Sequence, residues 1–212
     1  EDTDLVFDIR TAQNLKENDS LQLEVSLQNE YNKKLITKFK KDGDITHLAK
    51  NLVIKRDNTW DGELTDEKAI CPSLTTEEIL ELLKEVKDKT FSKYKIHSEL
   101  GLDAASSSLW KNKKYYYRNP EKKRNEEEQF EYLKGIINNY GLFYVEDPFH
   151  EEDFNNFAKL LKETKGKSLI CGDDLTATQP TRLEVAIEKK AVNAVIVKPN
   201  QNGSLIDTKR FV

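Results

Sequence analysis

The sequence predicts an α/β fold with parallel strands, a (β/α) barrel or part of one, on three observations. From Thr75 onward, short apolar runs of β type alternate with amphipathic stretches of helical period, the signature of parallel βα units. Four of these runs stop at a residue that can hold a metal or move a proton: Asp103, Glu146, Asp173 and Lys198. Three of the four stops lead into a credible helix, and a barrel built in this way delivers side chains to one site at the C-terminal ends of its strands.

The elements follow in order. Leu21, Leu23 and Val25 share one face of residues 21–27, the period of a half-buried strand, and the alternation up to about Leu35 suits a strand pair. Residues 37–62 are lysine-rich and poorly periodic, and read as loop with an ill-defined helix. Thr75 and Glu78 form a capping box ahead of an apolar stripe of Ile79, Leu82, Leu83 and Val86. A strand is predicted over residues 93–102 and a tyrosine-rich strand or hairpin arm over 113–117, with Trp110, Tyr115, Tyr116 and Tyr117 as packing residues. Asn119-Pro120 reads as a helix start, with Asn as cap and Pro at the first helical position. Phe130, Leu133 and Ile137 then face inward and Gly141 stops the helix. The rest alternates: strand 141–146, helix 153–165, strand 168–172, helix 181–190, strand 192–198.

Composition excludes several functions. Of the 212 residues 34% are charged, with signs mixed and a net charge of −4. That is a solvated surface without the basic stripe a nucleic acid would need. No run of about 18 apolar residues could span a membrane, and no signal peptide is visible. Cys71 and Cys171 form neither a disulfide nor a zinc pattern, which suits a cytoplasmic protein. The length is short for a full (β/α)₈ barrel, which takes about 250 residues. The chain also contains no methionine and ends one short segment past the Lys198 strand. Either a reduced form of the fold or a sequence with pieces missing is therefore expected.

Three carboxylates and one lysine on a common rim suit Mg²⁺ beside a base, because hard divalent cations take oxygen ligands. An acid at one strand end is ordinarily a helix cap. Asp103, Glu146 and Asp173 together are candidate metal ligands. Lys198 follows Val195-Ile196-Val197, so its stem should be buried and its ammonium should emerge in the site as the candidate base. Asp147 and Asp174, the second acids of their segments, are expected to orient neighbours or cap helices. His150, beside Glu151-Glu152-Asp153, reads as a helix-start residue without a catalytic part.

These segments resemble those of the enolase family. Counterparts of its LDxAAS (one residue shorter in this chain), EDPF, DDL and KxNQ words stand in order at residues 102–106, 146–149, 173–175 and 198–201, within a match from about Gly101 to Leu205. Residues 15–25 are weakly similar to the family's opening LDSRGNPTVEV hairpin. Residues 1–40 would thus be a remnant of an N-terminal α+β cap domain and residues 41–212 a partial barrel.

The resemblance implies reversible, Mg²⁺-dependent dehydration of 2-phosphoglycerate to phosphoenolpyruvate in glycolysis and gluconeogenesis. Asp103, Glu146 and Asp173 would hold the first Mg²⁺, and Lys198 would take the C2 proton. Sites of this superfamily in general pair a Lys or His base with one or two Mg²⁺. The family's acid lies in a GDEGGxxP-type loop, for which residues 65–72 are the closest segment. Glu67 would then protonate the leaving hydroxide; Asp66, Glu67 and Pro72 match, while Lys68 and Ala69 replace two glycines. The SGAS, HAG, QEF and SHRSGE segments of the family are not found. A small-molecule substrate and a homo-oligomer are implied, with neither nucleic acid nor membrane as partner. Two rival readings stay open. One is another dehydration of the superfamily, although its usual Lys-x-Lys base is not seen. The other is a non-catalytic paralogue acting as a binding or scaffold protein, which Lys68, Ala69 and the unmatched segments would suit.

Overall fold

A computed structural model describes residues 45–62 and 70–212. The strand pair of residues 21–35, the cap-domain remnant and the Glu67 loop lie outside the described residues. The chain divides into two compact units, residues 1–100 and 101–212.

In the first unit, α1 (Ile45–Arg56) and α2 (Thr76–Tyr94) pack through Ala49, Leu52, Val53, Leu82 and Val86. The expectation of an ill-defined helix in a loop is corrected here. Ala49, Leu52 and Val53 form a one-sided stripe at i, i+3, i+4, short enough to be masked by the surrounding lysines and asparagine. Asp57, just past α1, accepts from Thr59 Oγ1 (2.6 Å), Thr59 N (3.1 Å) and Ser73 N (2.7 Å). It thereby ties the end of α1 to the segment that leads into α2. The capping box forms as read: Thr75 Oγ1 accepts the Glu78 N–H and Glu78 Oε2 accepts the Thr75 N–H. The strand predicted over residues 93–102 is shorter. Helix α2 propagates through Tyr94, one bond per residue, until left-handed Lys95 (φ 58°) ends it.

The second unit begins with β1 (Gly101–Asp103), a 3₁₀ turn over Ser106–Leu109, and an antiparallel meander of β2 (Trp110–Lys111), β3 (Lys114–Arg118) and β4 (Glu121–Arg124). It continues with α3 (Glu126–Tyr140), β5 (Tyr144–Glu146), α4 (Phe154–Thr164), β6 (Leu169–Gly172), α5 (Pro180–Glu188), β7 (Ala194–Val195), α6 (Pro199–Asn202) and α7 (Leu205–Phe211). Strands β1, β5, β6 and β7 form one parallel sheet in that order, with Val145 opposite Leu102 and Ile170. Val145 and Ile170 are fully buried, as central strands of a parallel sheet require. Phe149 anchors the helix layer, stacked on Phe130 (6.1 Å, 11°) and edge-on to Phe157 (5.7 Å, 71°). The successive strand–helix units are those of the predicted α/β barrel.

Helix α3 does not start at Asn119-Pro120, which forms the turn between β3 and β4. It starts at Glu126 under Asn125, whose Oδ1 accepts the Glu128 N–H (2.9 Å) while Glu128 Oε2 accepts the Asn125 N–H (2.8 Å). Three glutamates in the first turn also favour this start through the helix dipole. The meander is fastened to the loop after β5. Buried Gln129 accepts from Tyr117 Oη (2.9 Å) and donates to the Pro148 carbonyl (3.3 Å), to which Ser106 Oγ also donates (2.9 Å).

Candidate active site

The polar stops reach one edge by ordinary strand register. Asp103 pairs with Glu146, and Glu146 with Cys171, two residues before Asp173. Backbone bonding continues past the strand ends, with Ala104 N on Glu146 O (2.9 Å), Asp147 N on Cys171 O (3.0 Å) and Ile196 N on Gly172 O (3.1 Å). Gly172 keeps this turn close-packed: a Cβ there would come within 3.1 Å of Leu175 Cβ, so Leu175 would have to give way by a few tenths of an ångström.

Glu146, Asp147 and Asp173 are buried and each places a carboxylate oxygen within 4.8 Å of the others. Buried acids this close repel one another unless a proton or cation intervenes, and an all-oxygen donor set of this kind fits a hard divalent ion. Asp103 lies on the same edge but outside that group of three, half-buried, with Oδ1 accepting the Ala105 N–H (3.0 Å). On Glu146, Oε2 accepts from Tyr144 Oη (2.7 Å), which shares its strand face at i, i+2. Burial, a hydrogen bond with Cys171 and the Glu146 carboxylate push the Tyr144 phenol well above its usual range. Burial likewise pushes the Cys171 thiol up to about 12.

Asp147 is the orienting residue its position suggested. It adopts the left-handed region (φ 42°), which Asp tolerates. From there it accepts the N–H groups of Asp173 (3.1 Å) and Asp174 (2.8 Å), holding the loop that follows β6. Burial pushes its carboxyl up to about 7, against the opposing pull of those N–H groups. Asp174, by contrast, is exposed and caps no helix, since the N-cap of α5 is Gln179.

Lys198 Nζ forms an ion pair with Asp173 Oδ2, and that hydrogen bond raises the Lys198 pKa above the ordinary lysine value. The expected burial of its stem is not observed. The Lys198 side chain is 46% exposed against 8% for Asp173, and Val197 is exposed. The reason is that β7 spans only two residues at the end of the sheet order, and Pro199 starts α6 at once. His150 stacks flat on Trp110 (4.3 Å, 14°) in the turn ahead of α4, whose cap is Asp153, so it is not itself the helix start.

Four residues of this edge were given no role from sequence: Tyr144, Thr178, Arg182 and Gln201. Arg182 donates to Leu175 O (2.7 Å), to Glu152 Oε1 (2.9 Å) and to Glu151 O, clamping the loops after β5 and β6 together. Gln201 Nε2 donates to Asp173 Oδ1 (2.8 Å) and Thr178 Oγ1 to Gln201 Oε1 (2.8 Å). Strand alternation from Glu146 signals Tyr144, and the third position of α5 places Arg182 toward the preceding loop. No sequence pattern singles out Thr178.

Residues 22–211 match the family model described as the C-terminal TIM barrel domain of enolase. The chain belongs to the enolase family. It is 40% identical over 160 residues to the enolase of Pyrobaculum aerophilum, covering 76% of this chain and 38% of that protein. It is 42% identical over 171 residues to the enolase of Methanosphaera stadtmanae (78% and 40%) and 42% identical over 144 residues to that of Methanocorpusculum labreanum (68% and 36%). The matched part of the chain thus spans about two-fifths of the length of these enolases.

Proposed function

We propose that the protein carrying this chain interconverts 2-phosphoglycerate and phosphoenolpyruvate by reversible removal of water, with Mg²⁺ held by Asp103, Glu146 and Asp173. The supporting observation is the convergence of buried Glu146 and Asp173 at the strand ends with the Lys198 ammonium seated on Asp173. When bound, the cation supplies stabilisation for charge that builds on the substrate carboxylate and takes up the Asp173 charge that favours protonated Lys198. Lys198, once neutral, accepts the proton from C2 of the substrate. Glu67, outside the described residues, donates a proton to the departing C3 hydroxide. Two unpaired cysteines suit a cytoplasmic setting, and homo-oligomer assembly is part of the same reading.

The test is the rise in ultraviolet absorbance as purified protein converts 2-phosphoglycerate to phosphoenolpyruvate. Turnover should require Mg²⁺ and stop on chelation. Glu67→Gln should slow elimination by about 10²–10⁴-fold, the usual weight of a general acid, while exchange of the C2 proton survives. Undiminished turnover in excess chelator would contradict the proposal, and normal elimination by Glu67→Gln would move the acid role to another residue.

A further inference from the structure

Thr178 has an unusual backbone. It is β-branched and fully buried, yet sits at φ 52° next to Ala177 at φ 46°. A β-branched residue in the left-handed region is a true outlier, and such strain persists only where the surroundings over-determine it. Here the surroundings are the proposed active-site groups themselves.

The Thr178 hydroxyl accepts the backbone N–H of Lys198 (2.9 Å) and donates to Gln201 Oε1 (2.8 Å). A hydroxyl has one proton, so accepting from the amide directs that proton to Gln201. The Gln201 carbonyl must then face Thr178, and its NH₂ must face Asp173, where Nε2 meets Oδ1 at 2.8 Å. Asp173 Oδ2 in turn holds Lys198 Nζ. The four residues close a ring: Lys198 backbone, Thr178, Gln201, Asp173, Lys198 ammonium. The Thr178 carbonyl also accepts Asn202 Nδ2 (2.8 Å), so the segment is pinned from both sides.

We propose that Thr178 is a positioning residue of the active site. Through Gln201 it fixes the rotation of the Asp173 carboxylate, and through the Lys198 amide it fixes the root of the base. Oδ1 takes the Gln201 hydrogen bond and Oδ2 faces the Lys198 ammonium, so the rotation of the carboxylate is set at both oxygens. The strained backbone is what brings one hydroxyl within reach of both segments. This inference rests on Asp173 being a metal ligand.

The experiment is calorimetric titration of the full chain with Mg²⁺ alone, alongside thermal unfolding without added metal. Thr178→Val keeps shape and branching but removes the hydroxyl. It should weaken Mg²⁺ binding by about 10–100-fold, the usual effect of losing a group that orients a ligand. Thr178→Ser restores the hydroxyl and should bind within about threefold of wild type, well short of that loss. Gln201→Leu removes the intermediate link and should weaken binding in the same direction, which keeps the test decisive where Thr178→Val does not fold. Asp173→Asn should abolish binding. Wild-type affinity in both Thr178→Val and Gln201→Leu, even with lowered unfolding temperatures, would show a purely structural role and overturn the proposal; so would failure of Thr178→Ser to rescue. Wild-type affinity in Asp173→Asn would instead overturn the metal reading itself, and this inference with it.

Discussion

At the scale of single residues, the groups legible in the sequence were those that end an apolar run abruptly. Asp103, Glu146, Asp173 and Lys198 each interrupt such a run, and a strand end gives a polar side chain there few places to point. Less legible were Arg182 and Thr178, whose contacts reach along the chain. Arg182 reaches partners 7, 30 and 31 positions away, and Thr178 reaches Lys198 across 20. The Arg182 clamp gives a testable cost. Arg182→Ala leaves the buried loop carbonyl of Leu175 without its charged donor and should destabilise the fold by about 2 kcal/mol, as for hydrogen bonds to charged groups. Urea unfolding would show this; an unchanged midpoint would mean that water replaces the guanidinium fully.

At the scale of elements, capping chemistry decided where helices begin, and two cap signals competed ahead of α3. Asn119-Pro120 carries a common start signal, but Asn125 with Glu128 supplies reciprocal bonds to two orphan N–H groups, and only the second is used. Asn125→Ala should therefore cost about 1 kcal/mol in denaturant unfolding, whereas Asn119→Ala should leave the helix start unaffected. Helix α1 was obscured because its stripe is three residues long. Asp57, at its end, sets a pH dependence. Hydrogen bonds from Thr59 and Ser73 hold the Asp57 carboxyl below the usual carboxylate value. A depressed folded pKa contributes stability that is complete above the unfolded pKa of 3.8 and is lost as pH falls through the folded value. Asp57→Asn should lower the unfolding temperature at neutral pH and flatten its decline below about pH 4, the range in which a normal aspartate takes up its proton. Parallel wild-type and variant curves across that range would remove Asp57 from the explanation.

At the scale of the molecule, alternation of strand and helix announced a parallel α/β sheet, and the order β1-β5-β6-β7 realises it. The alternation is visible because strands buried on both faces read as unbroken apolar runs while the intervening helices keep a polar side. Among the described residues no helix is long and apolar enough to cross a membrane. Strand lengths were less legible, since the strands predicted over residues 93–102 and 192–198 exceed the hydrogen-bonded strands of three and two residues. Those shorter strands leave Lys198 on an exposed segment, held to the edge by Asp173 and Thr178. The central claim is that this lysine moves the C2 proton of a substrate gathered at the carboxylate edge. Its most direct test is proton NMR of 2-phosphoglycerate in D₂O with Mg²⁺ and purified protein. Wild type should replace the C2 proton with deuterium, and Lys198→Ala should slow that exchange by about 10²–10⁴-fold while still binding Mg²⁺. Exchange by Lys198→Ala at the wild-type rate would contradict the claim.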